Sequence, residues 1–342
     1  MSVLSLKLGL IGSGRIGTMH AEHLTSHIPA ADVILVADAF EDAATQCAKR
    51  YAIPFATQDY HDVLAHPDIE AVVICSPTDT HARLIEEASQ AGKHIFCEKP
   101  IALDLPSIDQ ALEAVERAGV KLQVGFNRRF DANYRRVRQA VEQGEIGHPQ
   151  LLHLISRDPA PPSIDYIRAS GGLFLDMTIH DFDMACFLIG REVEEIFALA
   201  SVMDNPAIGA VGDVDTAVIM LQFTNGVIAT IDNSRRAVYG YDQRVELLCS
   251  AGAINTGNTY PNTAIISDGH SIWHDLPHRF FVERYNESFL AEMAAFVHAV
   301  LHDEPVPVTG YDGRAPVVMA LAAQMSLIEH RSVHLSEIER SN

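Results

Sequence analysis

An apolar run at residues 171–184, GGLFLDMTIHDFDM, carries four ionisable side chains: Asp176, His180, Asp181 and Asp183. Wound as a helix at 100° per residue, it sets Asp176, His180 and Asp183 within an arc of roughly 60° and turns Asp181 elsewhere. A narrow polar stripe among Leu173, Phe174, Leu175, Met177, Ile179, Phe182, Met184 and Leu188 faces a cleft, a partner charge or a ligand. A satisfied internal Asp–His pair is the plainer alternative, and the stripe alone does not choose. Lys99 is the second chemically loaded position. It closes the strand candidate KHIFCEKP and precedes Pro100, which biases its backbone toward extended geometry. A lysine at a strand end can hydrogen-bond an alcohol oxygen and lower the cost of removing its proton. Desolvation and a neighbouring cationic ring would draw its pKa toward a useful range. The competing reading is a surface lysine paired with Glu98.

A third signal supplies such a ring. Residues 6–11, LKLGLI, read as a short strand. GSGRIG follows, with Gly12, Gly14 and Gly17 in G-x-G-x-x-G spacing, and then a helix candidate, RIGTMHAEHLTSHI. Gly12 permits the tight turn, Gly14 lets the backbone approach a pyrophosphate, and Gly17 lets helix and strand pack closely. Ser13, Arg15 and Ile16 complete the loop and helix start, whose N–H groups and positive dipole end suit phosphates. The second strand, ADVILVADA, ends in Asp38, twenty-one residues beyond Gly17. A carboxylate there accepts hydrogen bonds from ribose hydroxyls and repels a 2′-phosphate, and Ala39 offers no compensating cation. The combination reads as NAD, not NADP; a solvated strand-end aspartate is the ordinary alternative.

The elements that must position these residues alternate. Helix candidates EDAATQCAKRYA, DYHDVLAH, DTHARLIEEASQAG and PSIDQALEAVERAG are interleaved with strand candidates AVVICSP, KHIFCEKP and VKLQVGF, the pattern of a doubly wound parallel sheet. Ligands on such sheets lie beyond the carboxyl ends of the strands. Those ends are Gly12, Asp38, Ser76–Pro77–Thr78, Glu98–Lys99–Pro100 and Phe126–Asn127. His81, just after SPTDT, can reach the nicotinamide end or sit on a helix surface. After Gly125 the alternation breaks. The helix candidate NYRRVRQAVEQGEIG leads into strands PQLLHLISRD, EEIFALASVM, DTAVIMLQFTNG, VIATIDNSRRA and DQRVELLCSAG, with Thr224–Asn225–Gly226 as a hairpin turn. GYDGRAPVVMALAAQMSLIEH reads as an amphipathic helix over about 312–330 that covers the sheet or the domain junction. The expected architecture is α/β. An N-terminal Rossmann domain, residues 1–124, holds the parallel sheet, and a C-terminal α+β domain, residues 125–342, is built on a large, mainly antiparallel open sheet.

Composition narrows the functional classes. The 342 residues are 48% apolar and 20% charged, enough for two cored domains and unlike a disordered chain. The 25 basic and 45 acidic side chains leave a net charge of −20, which disfavours nucleic-acid backbones and anionic membrane surfaces. Cys47, Cys75, Cys97, Cys186 and Cys249 contain no C-x-x-C pair, so neither a disulfide framework nor a structural zinc site is expected. No apolar run is long enough to suggest a membrane span. The apolar N-terminus runs straight into the glycine fingerprint without a cleavage-site pattern, which reads as a first strand and not a signal peptide. The expectation is a cytoplasmic enzyme or binding protein.

The segments GSGRIGTMH, SPTDTHARLIEEASQAGKHIFCEKP, VGFNRRFDANYRRVRQAVEQGEIGHP and SGGLFLDMTIHDFDMACFLIG together resemble the glucose–fructose oxidoreductase and inositol dehydrogenase family, from about Leu6 to Val333. SRDPAPPSIDYIRASGG and DMTIHDFDM narrow the resemblance to its inositol branch. The resemblance implies NAD-dependent oxidation of a secondary alcohol on a cyclic polyol, myo-inositol to its 2-keto form. Alternatives of the same class are scyllo- or D-chiro-inositol and aldoses; of other classes, an NAD-dependent glycosidase or a non-catalytic sugar sensor. Retention of Lys99, Asp176 and His180 argues against the sensor.

The resemblance also implies roles. Lys99 polarises the oxygen, His180 accepts the hydroxyl proton, and Asp176 binds a substrate hydroxyl or orients the pair, with no metal. Asp183 could fix the His180 tautomer or serve helix packing. The further substrate-binding candidates are Asn127, Arg157, Asp158, Tyr241 and Tyr285. Asn127 is chosen on strand-end geometry, Asp158 and Tyr241 by resemblance, and Tyr239 is undecided; a mutual Arg157–Asp158 surface pair is the plain alternative. Finally, the resemblance implies a cis Lys99–Pro100 bond and a homotetramer that uses the open sheet for its contacts.

Overall fold

Short strands apolar at nearly every position can be buried on both faces only inside a layered α/β unit. The first 125 residues supply five of them and a short, exposed edge strand. β1 (Leu6–Ile11), β2 (Ala31–Ala37), β3 (Phe55–Thr57), β4 (Ala71–Ile74), β5 (His94–Glu98) and β6 (Leu122–Gly125) pair in parallel in the order 3-2-1-4-5-6. The computed structural model describes residues 5–341, so Met1–Leu4 of the apolar N-terminal stretch and Asn342 lie outside the described residues. β4 is buried throughout. β3, too short and too exposed to show in the sequence pattern, completes the edge.

The chain divides into two units, one running through Asn127 and including Glu287–Val317, the other comprising Arg128–Asn286 and the residues from Val318 onward. The expected boundary at residue 124 places Glu287–Val317 in the second domain; in the structure this segment groups with the first unit. The reason is apolar packing. Met293, Phe296 and Val297, on the helix Phe281–Leu301, join Leu8, Leu10, Leu24, Val36 and Phe96 in one buried cluster. Val308 then accepts a backbone hydrogen bond from Val124 at 3.1 Å. Arg314 grips Asp109 with two bonds of 2.6 and 3.2 Å.

The second unit holds β7 (Pro149–Arg157), β8 (Val193–Ser201), β9 (Thr216–Phe223), β10 (Ile228–Ser234), β11 (Asp242–Cys249), β12 (Gly252–Thr256), a separate hairpin of β13 (Ile265–Ser267) and β14 (Ile272–His274), and β15 (Val333–His334). The large sheet runs 12-11-7-10-9-8-15 and is antiparallel except between β7 and β10. β9 and β11 alternate buried and exposed residues, as a sheet covered on one face requires. Gly226, at φ +84°, makes the expected turn between β9 and β10. The helix Ile179–Ile189 lies on β7 and on the helix Ala132–Glu142. The last long helix spans Gly310–Glu329, and in this unit its Ser326 accepts the Ala198 N–H at 3.0 Å. Among the described residues no helix is long and apolar enough to cross a membrane.

Candidate active site

In the first unit the fingerprint glycines are sterically required. A Cβ on Gly12, whose φ is +93°, would lie 2.6 Å from Ser76 N, and one on Gly17 would lie 1.9 Å from the Gly12 carbonyl oxygen. A Cβ on Gly14 would meet nothing within 4 Å, so that side of the loop is open to an approaching group. Gly14 precedes the helix Arg15–Glu22, which has no side-chain cap and no acidic residue in its first turn. Its N-terminal dipole therefore remains suited to an anion. One Asp38 carboxylate oxygen accepts both Ser13 N at 2.7 Å and Ser13 Oγ at 2.8 Å; the other accepts Phe40 N at 3.0 Å. The aspartate thus fixes the loop that carries it and presents a rigid acceptor at the end of β2. These features fit a dinucleotide, with the Gly12–Gly17 loop at the pyrophosphate and Asp38 at the ribose.

The Lys99–Pro100 bond at the end of β5 is cis, as the resemblance implies. His81 is 2% exposed, with Nδ1 2.8 Å from the Pro100 carbonyl and Nε2 2.8 Å from that of Ser76. It ties the Ser76–Thr78 corner to the Lys99–Pro100 turn, and a direct bond to cofactor would break one of those contacts. Ser76 Oγ pairs with Thr80 Oγ1 at 2.6 Å. Asn127 is 3% exposed, and its Nδ2 has no hydrogen-bond partner among the described residues. A buried, unused donor beyond a parallel strand is a ready ligand contact.

In the second unit the polar stripe separates into two kinds of residue. From Leu173 to Ala185 every residue is buried except Asp176 and His180. Asp181 is enclosed by Arg128 at 2.7 Å and Asn233 at 2.8 Å, and Asp183 takes a two-pronged contact from Arg129 Nε at 2.9 Å and Nη2 at 2.6 Å. Asp183 therefore anchors the helix Ile179–Ile189. The turn before it, Phe174–Thr178, is π-helical, with Thr178 Oγ1 donating to Leu173 O at 3.3 Å. This extra winding shifts Asp176 from the position uniform α-geometry predicts.

Asp176 is held by two residues that sequence reasoning missed. Tyr166 OH donates to one carboxylate oxygen at 2.9 Å, and Arg235 Nη1 donates to the other at 3.2 Å. Arg235 is 1% exposed and lies 3.7 Å from Asp213, which in turn accepts Leu173 N at 3.0 Å. A Cβ on Gly172 would sit 2.7 Å from that Asp213 oxygen, which explains a glycine there. Burial and the Asp176 charge push the Tyr166 hydroxyl pKa up, so it stays a donor. The signals were present, a tyrosine ten residues before Asp176 and an arginine closing β10, but neither spacing is periodic.

Arg157 pairs with Asp232, at 2.5 and 3.0 Å, and also donates to Tyr239 OH at 3.2 Å. The alternative Arg157–Asp158 pair does not form. Burial, and then the Asp176 charge, raise the Asp158 pKa to about 6, with Arg235 and Arg128 opposing. Tyr239 donates to Asp242 at 2.6 Å and belongs to the Arg157 cluster. Tyr241 OH accepts from Arg128 at 3.3 Å, and Tyr285, 2% exposed, meets Tyr134 OH at 3.2 Å with Arg284 stacked over its ring. The arrangement gives an anchored carboxylate, an accessible imidazole and a second, reluctant carboxylate, a set suited to gripping hydroxyl groups and taking a proton.

Two family models match. Residues 6–126 fit an oxidoreductase family with an NAD-binding Rossmann fold, and residues 134–255 fit the GFO/IDH/MocA C-terminal domain. The chain is 46% identical to a myo-inositol 2-dehydrogenase of Thermotoga maritima, across 97% of this chain and 99% of that protein. It is 44% identical to an inositol 2-dehydrogenase of Rhizobium meliloti, across 97% and 100% respectively. Among solved structures, scyllo-inositol dehydrogenase from Lactobacillus casei with bound NAD(H) and scyllo-inositol superposes with a TM-score of 0.91 at 31% identity, over 97% of this chain and 99% of that one.

Proposed function

The chain belongs to the GFO/IDH/MocA family of NAD-binding oxidoreductases, and from that premise we propose that it oxidises a secondary alcohol of a cyclic polyol, myo-inositol to its 2-keto form. The observation that carries this reading is the pair Asp176 and His180, the two residues from Leu173 to Ala185 that are only partly buried. His180 accepts the hydroxyl proton as the carbon–oxygen double bond forms. Lys99 donates a hydrogen bond to the same oxygen and stabilises its developing charge. Asp176, fixed by Tyr166 and Arg235, accepts from a neighbouring hydroxyl and orients the ring. Asn127 Nδ2 and Asp158 grip further hydroxyls. When bound, NAD supplies the hydride acceptor; Gly12–Gly17, Asp38 and the Ser76–Thr78 corner would hold it.

The same reading makes this a cytoplasmic, catabolic enzyme that assembles as a homotetramer through its open sheet. Leu199, Val218, Met220, Ile228 and Leu248 lie exposed on one face of that sheet, an apolar surface suited to a second copy. Following NADH formation over a panel of inositol stereoisomers and aldoses tests the activity, with myo-inositol expected to give the highest kcat/KM. Preference for scyllo-inositol would reassign the substrate. Release of an aglycone without NADH accumulation would replace the dehydrogenase with a glycosidase, and binding without turnover would leave a sensor.

A further inference from the structure

Glu98, the residue before Lys99, sets its carboxylate among side chains that the catalytic reading does not use. On the paired strand, Gly125 stands opposite it, and a Cβ there would lie 3.0 Å from Glu98 Oε2. His20, fully buried, places Nε2 2.8 Å from Glu98 Oε1. From the helix Phe281–Leu301 comes Glu292, 0% exposed, with neither carboxylate oxygen hydrogen-bonded among the described residues. One polar atom from each of the three side chains lies within 4.8 Å of the others. The other titratable groups nearby are Cys75 and Cys97, both kept as thiols by burial, with Cys47 beyond and the His23 ring 6.3 Å from that of His20.

Two ionised carboxylates cannot share so dry a place without a donor for the second; the economical solution is one proton between them. Burial and the Glu98 charge both raise the Glu292 pKa well above the usual carboxylate range. A neutral Glu292 has a hydrogen to give, and Glu98 is the carboxylate grouped with it, one atom of each lying within 4.8 Å of the other. A bound divalent cation fits less well. Two ligands held tetrahedrally at about 2.0–2.2 Å would stand roughly 3.4 Å apart, whereas His20 and Glu98 are at hydrogen-bond distance, 2.8 Å.

We propose that Glu292 is kept as the neutral acid and donates its carboxyl hydrogen to Glu98, making Glu292 and His20 positioning residues for Lys99. The positioning half rests on the role assigned to Lys99 above; the hydrogen bond does not. Infrared spectroscopy on the full-length protein at pH 8 should show the C=O stretch of a protonated carboxyl group, absent from Glu292→Gln. In Glu292→Met the donor is gone, and the displacement is read in kcat. At pH 7 kcat should fall about tenfold with KM for NAD within about twofold, and Glu292→Gln, whose amide still donates, should recover most of that loss. Three results would each overturn the proposal: no such band in the wild type, a Gln variant displaced as far as Met, or equimolar binding of Zn²⁺ or Mn²⁺ abolished by Glu292→Gln. If the Met variant fails to fold, or no polyol is oxidised, the band still decides.

Discussion

Asp158→Asn should make the protein more stable and a worse enzyme. The Asp158 carboxyl, just past β7, titrates near 6 instead of 3.8, chiefly through burial and then through the charge of Asp176. The folded protein therefore holds this proton to higher pH than the unfolded chain does, and folding stability falls as pH rises from about 4 to about 6. At 1.36 kcal/mol for each tenfold change in proton affinity, the full penalty at neutral pH is about 3 kcal/mol. Asp158 is not wholly shielded from solvent, so screening should leave about 1–2 kcal/mol to be recovered. Asparagine keeps the shape and cannot ionise. Thermal melts at pH 7.5 should then show a gain of about 1.5–3 °C over wild type, shrinking to nothing by pH 4. The same variant should lose kcat/KM for the polyol, since it gives up an anionic acceptor. A variant no more stable at pH 7.5, or equally stabilised at pH 4, would show that ionisation of Asp158 is not what strains the site.

Asp38→Ser combined with Ala39→Arg should move preference from NAD toward NADP, read as the ratio of kcat/KM values; equal use of both cofactors by the wild type would remove the reason given for Asp38. Lys99→Ala or His180→Ala should lower kcat by about 10²–10⁴ with NAD binding little changed, measured by cofactor fluorescence titration beside turnover. Near-normal turnover at saturating NAD in either variant would cancel that residue's role. Tyr166→Phe removes a donor from Asp176 and should reduce kcat/KM for the polyol about tenfold or more while KM for NAD stays put; an unchanged value would mean that Tyr166 does not position the carboxylate.

Much of the first unit was legible because its signals are local. Gly12, Gly14 and Gly17 mark a turn whose steric demands are severe, and apolar strands with helical periodicity between them leave few topologies. The alternation in β9 and β11 and the turn at Gly226 were equally plain. What the sequence concealed depends on contacts between distant positions. Nothing near Asp176 announces Arg235, fifty-nine residues on, and Arg157 finds Asp232 across the parallel β7–β10 pair instead of its neighbour Asp158. The π-helical turn at Phe174–Thr178 defeats a wheel drawn at constant pitch. That Glu287–Val317 groups with the first unit was not legible, because an apolar helix face does not state which core it joins. For His81 the sequence left the nicotinamide end and a helix surface equally open, since it cannot show that each ring nitrogen lies 2.8 Å from a carbonyl oxygen.

The segment Glu287–Val317 also sets a schedule for synthesis. A ribosome releases residues 128–286, with most of the large sheet, before the helix carrying Met293, Phe296 and Val297 exists. Until then the nascent dinucleotide domain lacks the cover for Leu8, Leu10 and Phe96, and that apolar surface stays exposed. The later order is fixed as well, because the residues from Val318 onward return to the second unit only after the first has been completed. A truncated gene ending near Asn127 would therefore yield an aggregation-prone fragment, and neither unit could have been transplanted through evolution as one uninterrupted cassette.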